Sequence, residues 1–105
     1  MSKTLATLPI DAYVIDTLMA DLVGHDRQPS AFLVYLFLWK STDGGERVSE
    51  AISLRILAES TGLSKRAVQE AITTLERRRL AVVHRTHPLA VPAYEILRPW
   101  RRLGA

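Results

Sequence analysis

LRILAESTGLSKRAVQEAITTLERRRL, residues 54–80, divides around Gly62 into two short stretches of helical apolar spacing. Leu54, Leu57, Ala58, Leu63, Val68, Ala71, Ile72 and Leu75 recur at three and four residues. That spacing puts them on the inner faces of two helices crossing at a steep angle. Ala58 is small where the helices approach. Gly62 sits where the turn needs a positive φ, which glycine adopts without steric cost. Ser64 can accept a hydrogen bond from a free amide in the first turn of the second helix. Lys65, Arg66, Gln69 and Thr73 then remain on the outward face of that helix.

The motif residues are Leu57-Ala58, Thr61-Gly62-Leu63-Ser64, Ala67-Val68, Ala71, Leu75 and Leu80, with two strands expected after them. In this order the segment resembles the winged helix-turn-helix domains of bacterial regulators and replication-associated proteins, in the broad MarR-like and GntR-like group. The resemblance spans roughly residues 29–99. It implies a mainly α fold with a small β wing, double-stranded DNA as partner, and the second motif helix in the major groove. Many relatives carry glycine just before the leucine that opens the first wing strand. Here that position is Arg79, which must hold a strained backbone or end the helix differently.

Upstream, Ile10, Tyr13, Val14, Leu18 and Leu22 recur at helical spacing and predict an extra N-terminal helix over 9–24. Asp11 suits its first turn, Gly24 its end, and Ile15 and Met19 widen its apolar face. Ser30 is the expected cap of a helix to about Lys40. Its contents, AFLVYLFLW, are apolar almost all round, which marks a central helix. Tyr35, Phe37 and Trp39 are expected to pack in the core. Gly44-Gly45 marks a turn, Val48–Ile52 a short edge strand, and Ser53 the cap of the first motif helix. Downstream, Leu80–Thr86 and Ala93–Leu97 read as the two wing strands. A basic tail, residues 98–105, closes the sequence, which reads as one domain of 105 residues.

Charge is divided unevenly. Residues 1–50 hold 4 Lys/Arg and 7 Asp/Glu, and residues 51–105 hold 10 and 4. The basic half is the half with the motif, as a polyanionic partner favours. There is no cysteine, hence no disulfide framework and no thiolate metal site. The longest apolar run, Ala31 to Trp39, is too short to span a membrane. Pro9 and Asp11 interrupt any secretory signal. A cytoplasmic protein with no attached effector domain is expected.

The expected DNA-binding residues are Ser64, Lys65, Arg66, Gln69, Glu70, Thr73, Arg77 and Arg85. Arginine can pair bidentately with guanine and glutamine with adenine, and exposed positions at helical spacing reach adjacent base edges. Glu70 can accept from a cytosine amino group, or pair with Arg66 or Arg77. Arg77 and Arg78 end the helix, where cations suit its dipole and a phosphate contact is open to either. Arg85 is the expected wing contact to a phosphate or the minor groove. The wing tip, Pro88-Leu89-Ala90-Val91-Pro92, is apolar where many DNA-contacting wings carry Lys or Arg, which suggests a protein contact there. His84 and His87 lack a third ligand, so no metal site is expected. No catalytic constellation, phosphate loop or cofactor motif is found. The expectation is sequence-specific double-stranded DNA binding as a transcriptional regulator, with the tail clamping the backbone and a homodimer as the active form. The rival readings are a protein–protein interaction module and a replication-associated DNA-binding protein.

Overall fold

The computed structural model describes residues 6–104, with side chains as far as Arg101. A helix over 12–25 leads into α1 (Pro29–Ser41), α2 (Leu54–Thr61) and α3 (Lys65–Arg77). The strands β1 (Ala81–His84) and β2 (Ala93–Ile96) follow, and Pro99–Gly104 forms a terminal 3-10 helix. The strands pair antiparallel, with Ala81 opposite Ile96 and His84 opposite Ala93. This is a winged helix-turn-helix.

α1 is the central helix and packs against α2, α3, β2 and the N-terminal helix. It buries Ala31, Phe32, Val34, Tyr35, Leu38 and Trp39. The opposing side chains are Leu57 from α2, Val68, Ala71 and Leu75 from α3, and Tyr94 and Ile96 from β2. Tyr35 and Trp39, the buried aromatics on α1 that carry a polar atom, both satisfy it, as burial requires. The Tyr35 hydroxyl donates to the Leu97 carbonyl at 2.9 Å. The Trp39 indole donates to the Pro9 carbonyl at 2.9 Å. Burial also pushes the Tyr35 hydroxyl well above the usual phenol range.

Three local expectations are corrected. The expected N-terminal helix is present but runs over 12–25 rather than 9–24. It is largely π-wound, through Val14–Leu18 and Ala20–His25. The Met19 amide donates to Val14 and the Asp26 amide to Asp21, five residues back. Gly24 lies inside it. Arg27, at φ 55°, turns the chain out of the helix into Pro29. Ser30 does not cap α1. Gln28 takes that place without a side-chain bond, and Pro29 occupies the first turn, where its missing amide costs nothing. Residues 48–52 form no strand. The segment only touches β2, the Ser49 amide donating to Tyr94 and the Ile52 amide to Pro92. The Ser49 hydroxyl replaces a third rung by accepting from the Tyr94 amide at 2.9 Å. Phe37 packs against the core as expected, partly buried on the outer side of α1 with Leu36.

Candidate nucleic-acid interface

The turn between α2 and α3 is built from the residues the sequence offers for it. The Ser53 hydroxyl accepts from the Ile56 amide at 3.1 Å and starts α2. Gly62 ends α2 at φ 77°. The amides of Gly62 and Leu63 both donate to Ala58. The Ser64 hydroxyl accepts from the Ala67 amide at 3.0 Å and starts α3. The apolar side of α3 is buried through Val68, Ala71, Thr74 and Leu75. That fixes its rotation, and leaves Lys65, Arg66, Gln69, Glu70, Thr73 and Arg77 exposed on the other side.

Those six side chains therefore share one solvent-facing surface, with Ser64 at its N-terminal end. Arg66 is 87% exposed and its Nε lies 3.3 Å from a Glu70 carboxylate oxygen. So exposed a pair contributes little and opens readily. The Thr73 hydroxyl donates back to the Gln69 main-chain carbonyl at 3.1 Å, and the Gln69 side chain is exposed. The face thus offers a planar cationic fork, an amide able to donate and accept, and a carboxylate. These are the groups that distinguish base edges.

Arg77 and Arg78 part company. Arg77 is exposed. Arg78 turns back to Asp26 and lies 3.6 Å from Asp21, so it ties the end of α3 to the N-terminal helix. The hydrogen bond from His25, reinforced by Arg78, holds the Asp26 carboxyl below its usual range. Arg78 thus holds the end of α3 in place through these acidic partners, whereas Arg77 makes no such contact among the described residues. Asp21 and Asp26, its partners, were not singled out in the sequence. Their five-residue separation signals nothing until the helix is known to be π-wound.

On the wing, Arg85 is exposed, and one of its guanidinium nitrogens donates to the Ala90 carbonyl at 3.1 Å. His84 meets Glu95 at 3.0 Å. Among the described residues no group of His, Cys, Asp and Glu is placed to hold a metal.

Among the described residues of the tail, Arg98, Trp100 and Arg101 are engaged within the fold. Trp100 stacks on Tyr13 with ring centroids 4.6 Å apart. Its indole donates to Asp11 at 2.8 Å. Arg101 grips both oxygens of the same carboxylate, at 2.8 and 2.7 Å. Arg98 donates to the Gly44 carbonyl at 2.7 Å and to Glu46 at 3.1 Å. The Arg101 bond is the main cause that draws the Asp11 carboxyl down to about 2, with Trp100 assisting against partial burial. These basic residues fasten the two ends of the fold together.

Among the described residues no helix is long and apolar enough to cross a membrane. No curated protein and no solved structure matches the chain. A family model described as a helix-turn-helix domain matches residues 28–81, from the start of α1 to the start of β1, and the chain belongs to that DNA-binding family.

Proposed function

We propose that the protein binds double-stranded DNA in a sequence-specific manner, with α3 in the major groove, and acts as a transcriptional regulator. The observation that carries this is the outward face of α3. Val68, Ala71, Thr74 and Leu75 are buried, so Arg66, Gln69 and Thr73 project from the opposite, exposed side of the helix. Arg66 and Gln69 read bases. Glu70 either accepts from cytosine or holds Arg66 in place. Ser64, Lys65, Arg77 and Arg85 contact phosphates, which fix register without reading sequence. A DNA partner implies the cytoplasm. The same binding would serve replication equally well.

One such module reaches few base pairs, so a homodimer on two half-sites is the working form in this reading. Ile15 and Val23 are large apolar side chains left exposed on the N-terminal helix, with Met19 partly covered between them. A second reading, a winged helix used for protein contact, is favoured by the outer side of α1. There Leu33 is exposed, and Leu36 and Phe37 floor a groove of about 820 Å³ walled by Leu8, Ile52 and Ile56.

Selection of duplexes bound by the purified protein from a random-sequence pool separates these readings. An enriched motif is expected, with two-fold symmetry if the dimer forms. A pool that shows no enrichment would overturn sequence-specific binding.

A further inference from the structure

Leu89 stands out from every other apolar side chain on the surface. It is 92% exposed, whereas Ile10, Tyr13, Ile15, Val23, Leu33, Val48 and Ile56 all lie between 39% and 48%. Burial of a leucine side chain is favourable, and this one is left almost wholly in water. The loop that presents it is stiff. Pro88 precedes it and Pro92 follows, each with a fixed φ. The Ala90 amide donates to the His87 carbonyl at 3.0 Å. The Arg85 guanidinium crosses the loop to the Ala90 carbonyl at 3.1 Å. The tip is thus held out in a set shape before it meets anything, which lowers the entropy lost on contact.

We propose that Leu89 is a minor-groove wedge: it inserts between base pairs beside the groove occupied by α3 and kinks the duplex. This rests on the DNA-binding reading above. Two observations favour DNA over a protein as the occupant. Residues 85–92 contain Arg85 and His87 but no acidic residue, so the tooth is flanked by groups that suit a phosphate-lined groove, while His84 is paired with Glu95 at the base of the wing. The tip is also small. Leu89 and Val91 are its exposed large apolar side chains, far short of the roughly 800 Å² per partner that a stable protein interface buries. A single rigid apolar side chain beside a cation is the pattern by which minor-groove proteins unstack a base step. The wedge would favour sites with a flexible pyrimidine–purine step under the wing, a preference created without any hydrogen bond to a base.

The test uses the full chain and a duplex enriched from the random pool, labelled at both ends for energy transfer. The parent is expected to bend it by roughly 20–90°. Leu89→Ala is expected to bind about tenfold more weakly and leave the duplex straight, while its melting temperature stays that of the parent. Leu89→Phe is expected to keep the bend. If Leu89→Ala binds and bends as the parent does, the wedge is wrong and the major-groove reading stands. If the parent binds without bending, the wedge is likewise wrong. If Leu89→Ala instead lowers the sedimenting mass of the DNA-free protein, the tip belongs to a protein contact and the proposal falls. If the pool yields no bound duplex, the DNA-binding reading itself fails and takes the wedge with it.

Discussion

The Leu80 amide donates to the Leu75 carbonyl at 2.8 Å, reaching back across Arg79. The Arg79 amide donates to Glu76 at 3.0 Å. This pair of bonds is the Schellman ending of a helix, with buried Leu75 and Leu80 as its apolar contact. It requires a left-handed residue between them, and Arg79 takes it at φ 57°. Glycine would hold that conformation without the clash of a Cβ with the neighbouring carbonyl.

Arg79→Gly is therefore expected to raise the melting temperature. Relief of the left-handed strain is worth about 1–2 kcal/mol, partly offset by the greater freedom of glycine in the unfolded chain. A net gain of up to about 1 kcal/mol corresponds to a few degrees in a domain of this size. Differential scanning calorimetry checks it, and a fall in melting temperature would reject the strained backbone.

Gly62→Ala is the mirror experiment. Gly62 has the same handedness at φ 77°, and a Cβ there would meet nothing within 4 Å. The change should cost only the conformational term, about 1 kcal/mol. Equilibrium urea unfolding measures it. A larger loss with an altered slope would mean the turn had rearranged.

Ser64 separates a structural from a DNA-binding role. Ser64→Ala removes the bond to the Ala67 amide and should cost about 1 kcal/mol of stability. Ser64→Asp keeps a good cap but places a negative charge at the end of α3 that faces DNA in this account. It should fold as stably as the parent and bind duplex DNA more weakly, most of all at low salt. Equal binding by Ser64→Asp would remove Ser64 from the interface.

The Asp11–Arg101 pair predicts an acid-sensitive latch between the two ends of the fold. Asp11 titrates at about 2 in the folded protein against an ordinary value near 3.8. Its stabilisation is therefore full above about pH 5 and is lost as pH falls from about 4 through 2. At 23% side-chain exposure, Asp11→Asn should cost about 1–2 kcal/mol at neutral pH and much less at pH 2. Melting temperatures of parent and variant across that range check it. A difference that does not shrink at acid pH would show that packing, not charge, carries the contact.

These contrasts show where the sequence was readable. Residues 54–80 declare themselves because caps, turn glycine and apolar spacing all act within a few residues of one another. The same locality let Arg79 be recognised as a departure that must either hold a strained backbone or end the helix differently, and the structure has it in the left-handed region. Docking of the tail was not legible, because Asp11 and Arg101 lie far apart in the chain and only the folded core brings them together. Basic residues at a chain end look alike whether they face a polyanion or a neighbouring carboxylate. The π-winding was hidden for a different reason. The same apolar residues serve bonds reaching back four or five positions, and the choice is made by packing. On α3, burial of Val68, Ala71 and Leu75 set which side chains face outward, so most of the candidate face was readable. The pairing of Arg78 was not legible, because Asp21 and Asp26 lie far from it in the chain.

Titration of the enriched duplex with parent, Arg66→Ala and Gln69→Ala proteins, followed by fluorescence anisotropy, tests the central claim most directly. Each variant is expected to lose roughly 1–3 kcal/mol of binding and to relax its preference at one base position. Both variants binding the duplex as tightly and as selectively as the parent would contradict the placement of α3 in the major groove.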